Sequence, residues 1–403
     1  MNAPARRLLI VSSRFPFGSQ EAYLGTELTE LVKYFDRIAV VPLRPPTSAA
    51  VHRVPPGVEV LAWPLVNAAL LRRAFQAFAA RPRQALSAVF QILRSRDPGR
   101  AKNFAVIVKA LALAQWTMEQ HFDHIHAYWI SAPATVACIA AAVSGVPWSS
   151  TAHRWDIYER NAFDVKERSA SFVRTISARG TADIGTRMPT LARVLELGLG
   201  TNVPGEPAPL RNLTRTFHII CPAALVPIKG HADLLSAVAL LRSEGVPIFC
   251  TIAGNGPLRE SLEARVAALH LEDAVEFTGH VPQHTLHQWY RAGHFAAVTL
   301  ASLADGENME GVPSALIEAM AFGVSAVATN SGSIGEILDE RCGHLVQAGD
   351  PLALARALRD VYADPAQAQV RAQRAYARIA QRHDVRQQMA TLATMFSNQR
   401  SLS

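Results

Sequence analysis

The amino-acid sequence predicts an α/β protein made of two doubly wound domains, each a parallel sheet with helices on both faces. Short apolar runs bounded by turn residues alternate with longer amphipathic stretches along most of the chain, which is the pattern of βαβ units. The chain has 403 residues, a length typical of two or three domains. The segment 201–209 holds three prolines and a glycine and divides the apolar runs into two series. We therefore expect domains at residues 1–205 and 216–375.

Thirteen apolar runs of three to six residues are the predicted strands, because runs of this length between turn signals are typical of buried parallel strands. The first domain is expected to contain strands at Leu8–Ser12, Ile38–Pro42, Val58–Ala62, Ile125–Tyr128, Trp148–Ala152, Val173–Ile176 and Val194–Leu197. The second is expected to contain strands at Phe217–Cys221, Ile248–Ala253, Val275–Thr278, Phe295–Leu300, Ser325–Thr329 and His344–Val346. Helical stretches such as His231–Glu244, Leu258–Leu269 and Leu352–Tyr362 lie between them.

Residues 64–118 depart from this alternation. They carry apolar residues at helical spacing with arginines between them, so we expect a basic helical insertion in the first domain. One interpretation is a set of helices packed on that domain. The other is a face apposed to a membrane, where basic side chains meet anionic lipid headgroups and apolar side chains enter the interface.

The composition is that of a soluble globular protein, with 49% apolar and 18% charged residues. The four cysteines show no paired spacing, which favours buried thiols in a reducing compartment. The apolar run Leu8–Val11 is too short for a signal sequence, and no segment has the roughly 18 uninterrupted apolar residues of a membrane span. We expect a cytoplasmic protein, peripheral on the cytoplasmic face of the inner membrane if the insertion contacts lipid.

Positive charge is concentrated in the first half of the chain. Residues 1–214 have a net charge of +10 and residues 215–403 a net charge of −3, and residues 44–116 alone hold 11 basic and two acidic residues. Such a surface attracts nucleic acid, anionic lipid or a phosphorylated acceptor. We exclude nucleic acid, because aromatic residues are not interleaved with the basic ones and no nucleic-acid-binding signature is present.

The segment 310–323 contains the most informative motif. Glu310 and Glu318 stand eight residues apart, and a helix is predicted to open with Gly311, Val312 and Pro313, since proline suits a first helical turn. Free N–H groups around Gly311 and Ser314 would then face a phosphate at the positive end of this helix. Carboxylates beside an anion site suit sugar hydroxyls rather than phosphate. The motif therefore predicts a nucleotide-sugar site.

This stretch resembles the Glu-x7-Glu signature of the retaining glycosyltransferases of family 4. Other segments match that family in the expected order: the lysine-glycine turn of Leu225–Gly230, the Gly-x-Gly-Pro turn of Ile252–Arg259, the strand end of Phe277–Val281 and the loop of Ala328–Glu336. In the first half, Arg14–Glu21, His124–Trp129 and Ser150–Ile157 are similar to members that build bacterial exopolysaccharides, including colanic-acid-type enzymes. The resemblance implies the GT-B architecture, with two Rossmann-like domains facing a central cleft and a C-terminal helix, residues 376–403, returning to the first domain.

The resemblance also implies roles for individual residues. Glu310 and His153 would be the catalytic residues, Glu310 holding the hydroxyls of the transferred sugar and His153 lying near that sugar and the departing phosphate. Glu318 would hold the donor ribose and Lys229 the diphosphate. The other donor-binding candidates are Gly254, Gly256, Val281, Gly311, Val312 and Ser314, and the acceptor-side candidates are Gly18 and Ser19.

The predicted activity is transfer of a sugar from a nucleotide sugar to a glycan or a polyprenyl-diphosphate-linked acceptor, and the resemblance implies that the transfer retains the anomeric configuration. A UDP-sugar is favoured over a GDP-sugar as co-substrate, and no other cofactor is expected. No metal is expected either, because the sequence contains no Asp-x-Asp and no His/Cys cluster with metal spacing.

Two alternatives stay open. Ala224 stands where the family usually carries an arginine, so the chain could instead be a catalytically degenerate sugar-nucleotide-binding partner that scaffolds another transferase. A nucleotide-sugar epimerase on the same architecture is the less favoured alternative.

Overall fold

The structure is a computed structural model that describes residues 6–18, 21–44, 50–207, 216–305 and 308–397. It divides into two compact units. Unit 1 comprises residues 1–200 together with 385–403, and unit 2 comprises residues 201–384.

Parallel strands and helices alternate along both units. The strands are β1 (Arg7–Ser12), β2 (Arg37–Pro42), β3 (Val58–Val60), β4 (His124–Ala127), β5 (Trp148–Ala152), β6 (Phe172–Thr175), β7 (Val194–Glu196), β8 (Phe217–Pro222), β9 (Ile248–Ala253), β10 (Val275–Phe277), β11 (Ala297–Leu300), β12 (Ala304–Asp305), β13 (Asn308–Met309), β14 (Ser325–Thr329) and β15 (His344–Val346). The helices are α1 (Ala22–Leu31), α2 (Ala68–Ala80), α3 (Pro82–Arg94), α4 (Arg100–Gln120), α5 (Ala132–Ser144), α6 (Arg154–Glu159), α7 (Phe163–Lys166), α8 (Ala178–Arg187), α9 (His231–Ser243), α10 (Arg259–Ala268), α11 (Gln283–Arg291), α12 (Ser314–Ala321), α13 (Ile334–Ile337), α14 (Pro351–Ala363), α15 (Pro365–His383) and α16 (Val385–Ser397).

Unit 1 contains a seven-stranded parallel sheet in the order β3-β2-β1-β4-β5-β6-β7. Each predicted strand of the first domain corresponds to one of these strands, to within two residues at either end. The central strands are buried along most of their length, and Leu8, Leu9 and Ile10 of β1 are fully buried. A continuous apolar strand is typical of a parallel sheet covered on both faces, which confirms the doubly wound class for this unit.

Unit 2 contains a six-stranded parallel sheet in the order β10-β9-β8-β11-β14-β15, and these six strands match the predicted second series. Cys221 and Cys250 lie buried in β8 and β9 as free thiols, as their sequence context predicts. The antiparallel pair β12–β13 was not predicted, because strands of two residues carry no apolar periodicity.

The basic insertion folds as the three helices α2, α3 and α4. Helices α4 and α5 pack against each other, while α2 packs on α4 and α3 packs on α5 and α4. Small residues make these contacts, with Ala74 and Ala77 buried on α2 and Ala85 and Ala88 on α3. The insertion is therefore packed on the first domain. Within the described part of the chain, no helix is long and apolar enough to cross a membrane.

The chain returns to unit 1 through α16, which packs on α1. Its Phe396 lies against the rings of His124, His126 and Phe172 at the centre of the first sheet. Helix α15 runs without a break to His383, so the return begins at Val385 rather than at residue 376 as expected. The sequence-based boundary was placed too early because the polar composition of α15 resembles that of the tail that follows it.

A buried ion pair joins helix α1 to the first sheet. Both side chains are fully buried, and the Arg174 guanidinium donates to the two carboxylate oxygens of Glu27 at 2.9 and 2.7 Å. The Tyr128 hydroxyl and the Gly200 backbone N–H also donate to this carboxylate, at 2.9 and 3.1 Å. Arg174 Nε donates to the carbonyl of Leu197 and Arg174 Nη2 donates to that of Gly198. Every charged atom is thus hydrogen-bonded, which is the condition for tolerating buried charge.

We expect Arg174→Met to lower the free energy of unfolding of unit 1 by about 3–5 kcal/mol, because it leaves the Glu27 carboxylate buried without its counter-charge. Lys102→Met is the control, since Lys102 pairs with Glu159 at the surface of the same unit and should cost less than about 1 kcal/mol. Urea unfolding followed by tryptophan fluorescence measures the difference, because five of the six tryptophans lie in unit 1. Equal costs for the two variants would show that the buried pair does not hold α1 to the sheet.

Candidate functional site

The loops that carry most of the predicted site residues lie at the carboxyl edge of the second sheet. In the order β10-β9-β8-β11-β14-β15, successive strands run outward from β8 to β10 and then cross back to β11 on the other side of β8. The loops after β8 and β11 therefore diverge at a topological switch point. Doubly wound sheets bind ligands in the crevice outside the strand ends at such a point.

An ion pair bridges the two loops at this switch point. Lys229 ends a 3-10 turn after β8, and Glu310 follows β13 in the loop after β11. The Lys229 ammonium donates to Glu310 Oε2 at 2.5 Å, and the Ser302 hydroxyl donates to the same oxygen at 3.1 Å. Both charged side chains keep part of their surface in solvent, 21% for Lys229 and 13% for Glu310. The pair is thus accessible to a ligand.

The backbone of Glu310 is held by the loop that follows β14. Its N–H donates to the Ser331 hydroxyl at 3.0 Å, and its carbonyl accepts from the Ser333 N–H at 3.3 Å. Gly332 has a φ of +56°, and a Cβ at this position would lie 1.7 Å from the Glu310 carbonyl oxygen. Only glycine permits this approach. The loop of Ala328–Glu336, recognised in the sequence, therefore positions Glu310.

Helix α12 begins later than the sequence predicts. Its first residue is Ser314, and Pro313 is the N-cap with φ −75° and ψ 110°, so Gly311, Val312 and Pro313 precede the helix. The prediction that they open it was wrong. A proline N-cap has no N–H that needs a partner, and its carbonyl accepts from Leu316 and Ile317. Glu310 and Gly311 consequently lie in the loop before the helix, and the N-terminus of α12 starts at Ser314.

Glu318 lies one turn inside α12, and two side chains of helix α11 contact its carboxylate. Gln283 donates its amide N–H to Glu318 Oε1 at 2.9 Å, and His287 Nε2 lies 3.3 Å from Oε2. Neither Gln283 nor His287 is among the residues that the sequence predicts for the site. The only signal is their spacing of four residues, which places both side chains on one face of α11, and many helices share that spacing.

Gly254 and Gly256 follow β9 at the same edge, where they pack against protein backbone. A Cβ on Gly254 would lie 1.9 Å from the Ala223 carbonyl oxygen, and a Cβ on Gly256 would lie 2.3 Å from that of Leu225. The Leu225 N–H donates to the Asn255 carbonyl at 3.0 Å. These glycines therefore let the loop after β9 pack against the loop after β8, the loop that carries Lys229.

Val281 and Ala224 complete this edge. Val281 is half-buried between β10 and α11, two residues before Gln283. Ala224 is exposed in the loop after β8, and its carbonyl accepts from the Val226 N–H at 2.9 Å. Arg259, at the start of α10, donates to the Phe277 carbonyl at 3.3 Å and stacks over the Phe277 ring, and its Nε donates to Glu263 at 2.7 Å.

His153 lies at the carboxyl end of β5 in unit 1 and is buried. Its Nε2 is 3.0 Å from the Tyr23 hydroxyl, its ring packs against that of Trp129, and its backbone N–H donates to Asp156 at 2.7 Å. Burial lowers the pKa of His153 to about 3, with a smaller contribution from the charge of Arg174. The imidazole is therefore neutral near pH 7.

Gly18 ends the turn after β1, where a Cβ would lie 2.7 Å from Arg14 Cβ. Ser19 lies outside the described residues. The buried carboxylate of Glu21 accepts from the backbone N–H groups of Ser13, Arg14 and Phe15 and from the indole N–H of Trp129, all within 3.0 Å. Three backbone N–H groups of this loop are thus occupied by a carboxylate of the chain itself, a role that was not predicted from the sequence.

The structure brings Lys229, Glu310 and the glycines of the neighbouring loops to one edge of unit 2, with Glu318 on the helix that follows. His153 and Gly18 belong to the corresponding edge of unit 1. Among the described residues, no group of three or more His, Cys, Asp or Glu side chains is arranged to hold a metal ion.

Sequence comparisons place unit 2 in a known family. Residues 207–378 match the family described as "Glycosyl transferases group 1". The putative colanic acid biosynthesis glycosyltransferase WcaL of Escherichia coli K12 is 33% identical over 154 residues, which is 38% of this chain and 38% of that protein. The GDP-mannose-dependent alpha-(1-6)-phosphatidylinositol monomannoside mannosyltransferase of Mycolicibacterium smegmatis is 32% identical over 151 residues, 37% of this chain and 40% of that protein. These matches span about two fifths of the length of each relative.

Solved structures extend the likeness to the whole chain. The sucrose-phosphate synthase of Thermosynechococcus elongatus superposes with a TM-score of 0.72 over 99% of this chain and all of its own, at 17% identity. Anabaena HepE in complex with UDP and glucose superposes with a TM-score of 0.70 over 96% of this chain and 99% of its own, at 18% identity. Residues 207–378 are therefore a glycosyl transferases group 1 domain, and the chain has the two-sheet GT-B fold.

Proposed function

We propose that the chain is a retaining, metal-independent glycosyltransferase that moves a sugar from a nucleotide-sugar donor to a glycan or a polyprenyl-diphosphate-linked acceptor in surface polysaccharide biosynthesis. The observation that carries this proposal is the Lys229–Glu310 pair at the switch point of the second sheet, with Glu318 on the following helix. In a nucleotide sugar, the diphosphate lies between the hydroxyls of the transferred sugar and those of the ribose. One cation for the diphosphate and one carboxylate for each set of hydroxyls match this ligand.

Each of the two carboxylates of the site has a hydrogen-bond partner within the chain. The Lys229 ammonium neutralises Glu310, and the Gln283 amide and the His287 ring hold Glu318. A diphosphate entering the site then contacts Lys229 and the positive end of α12, since the first N–H groups of a helix have no intrahelical acceptor. Glu310 is left to accept hydrogen bonds from the transferred sugar and Glu318 from the ribose.

The same contacts supply the chemistry of transfer. As the bond between sugar and phosphate breaks, negative charge grows on the leaving diphosphate. Lys229 and the N-terminus of α12 stabilise that charge without rearranging. The acceptor hydroxyl attacks on the face from which the diphosphate departs, and its proton passes to the departing phosphate oxygen. The configuration at the anomeric carbon is thereby retained. His153 of unit 1, neutral because it is buried, would act through hydrogen bonds rather than through charge.

The donor and the acceptor are proposed on separate grounds. HepE binds UDP, which favours a UDP-sugar, whereas the mycobacterial relative is GDP-mannose-dependent, so both bases belong in any test. The relatives WcaL and AmsK are glycosyltransferases of colanic acid and amylovoran biosynthesis, which favours a growing polysaccharide as acceptor. A nucleotide-sugar donor also favours a cytoplasmic location for the protein.

Donor binding can be tested by thermal shift with UDP, GDP, ADP and their sugars. We expect one nucleotide diphosphate to raise the melting temperature of wild type by an amount that grows with its concentration, because a ligand that binds only the folded state stabilises it. Glu318→Ala should abolish this shift. Glu272→Ala, an exposed glutamate of the same unit, is the control and should preserve it. A shift that survives in Glu318→Ala would place the nucleotide elsewhere.

Turnover separates an enzyme from a scaffold that only binds the donor. We expect Lys229→Met to lower kcat/KM for nucleotide release by roughly 10²- to 10³-fold, because it removes the cation that stabilises the leaving diphosphate. Lys33→Met, which breaks a surface pair with Glu30, is the control and should leave turnover unchanged. The measurement is release of the nucleotide diphosphate with a lipid-linked oligosaccharide as acceptor. A wild type that binds donor but releases no nucleotide with any acceptor would support the scaffold instead, with Ala224 as the physical reason.

A further inference from the structure

Large apolar side chains are exposed on one part of unit 1. Seven of the twelve exposed large apolar side chains in the described part of the chain lie between residues 66 and 104, which is less than a tenth of the sequence. Phe75 is 71% exposed and Phe90 is 58% exposed. Exposed apolar residues are ordinary when scattered singly, but a cluster of this kind marks an interaction surface.

These residues form stripes on the outward faces of α2 and α3. On α2, Leu71, Phe75 and Phe78 recur at spacings of four and three, which places them in one row. On α3, Leu86 and Phe90 are four residues apart and therefore also lie on one face of the helix. We call these five residues, together with Arg72, Arg83 and Arg94, the outer α2–α3 face.

The two stripes face the same side of unit 1. Helices α2 and α3 pack on each other and lie over α4 and α5, so they form the outermost layer here. Their buried residues, such as Leu70 on α2 and Ile92 on α3, point toward that inner layer. The exposed stripes on the opposite sides of the two helices therefore share one outer surface.

Basic side chains flank the stripes, and acidic ones are absent from both helices. The sequence from Ala68 to Arg94 contains no Asp or Glu. Arg72, Arg83 and Arg94 are exposed, and Arg94 stacks over the Phe90 ring with its guanidinium carbon 5.0 Å from the ring centroid. By contrast, Arg73 is only partly exposed and is paired with Glu119 of α4. The exposed charge of the outer α2–α3 face is therefore entirely positive.

We propose that the outer α2–α3 face docks on an anionic lipid bilayer. The aromatic and leucine side chains enter the boundary between headgroups and acyl chains, and the arginines contact lipid phosphates. Each helix has 13 residues, about 20 Å, which is too short to span the roughly 30 Å hydrocarbon core, so the helices lie along the surface.

A second copy of the chain fits this face less well. A two-fold symmetric contact would place the face against itself and bring the arginines of one copy toward those of the other. A bilayer offers both chemistries that the face presents, an apolar interior and a negative surface. The proposal goes beyond the proposed function, because docking on lipid requires neither donor nor acceptor.

Flotation of the purified full-length protein with vesicles tests this surface. We expect binding to vesicles of phosphatidylcholine with phosphatidylglycerol, weaker binding as salt is raised, and little binding to phosphatidylcholine alone. Phe75→Ser/Phe90→Ser should weaken binding by about tenfold or more, since both rings leave the interface. The matched control is Leu352→Ser/Val370→Ser, which alters two exposed apolar residues of unit 2 and should bind as wild type does.

A second pair of variants tests the contribution of the arginines to vesicle binding. Arg72→Gln/Arg83→Gln should weaken binding to anionic vesicles by about tenfold, whereas Arg356→Gln/Arg374→Gln removes the same charge from exposed positions of unit 2 and should not. Equal weakening in both variants would show attraction by net charge alone and overturn the proposal. A wild type that fails to float with either vesicle would also overturn it.

Two further measurements separate the remaining explanations. Light scattering that finds a dimer in wild type and a monomer in Phe75→Ser/Phe90→Ser, without vesicle binding, would assign the face to a second copy and overturn the proposal. Thermal shift with nucleotide should be the same for that variant and wild type, which shows that it folds. A donor shift without flotation would refute only the lipid surface, and flotation without any donor shift would refute only the proposed function.

Discussion

The carboxyl edge of the second sheet depends on backbone approaches that leave no room for a side chain. A Cβ on Gly230 would lie 1.9 Å from the Ala301 carbonyl oxygen, and one on Gly332 would lie 1.7 Å from that of Glu310. These contacts bring together the loops after β8, β11 and β14. Lys229 and Glu310 stand directly beside them, so their ion pair is fixed by backbone packing and not by side-chain attraction alone.

The two units share an architecture but use carboxylates differently at their switch points. In unit 1, Glu21 accepts hydrogen bonds from three backbone N–H groups of the loop after β1, and Glu27 is neutralised by Arg174 in the interior. In unit 2, Glu310 is partly exposed and paired with a partly exposed lysine. An incoming anion therefore finds the N–H groups of Ser13, Arg14 and Phe15 occupied in the first unit and a partly exposed ammonium in the second, which supports the proposed phosphate site in unit 2.

Much of the fold was predictable because apolar periodicity reports burial directly. The thirteen predicted strands are present, and both sheets are parallel, since continuous apolar runs between helices admit little else. Element ends were less predictable. The start of α12 at Ser314 and the continuation of α15 to His383 depend on capping and packing that local sequence does not specify.

The features of the site also differ in how far they could be predicted from the sequence. The residue types at the strand ends, the Glu310–Glu318 spacing and the glycines could be read from the sequence, because they depend on local chemistry and on order along the chain. The folded chain was needed to show that Lys229 contacts Glu310 across 81 residues and that Gln283 and His287 contact the Glu318 carboxylate. It was also needed to show that the apolar stripes of α2 and α3 point outward. Helical spacing shows that residues share a face, but only packing against a second element decides whether that face is buried or exposed.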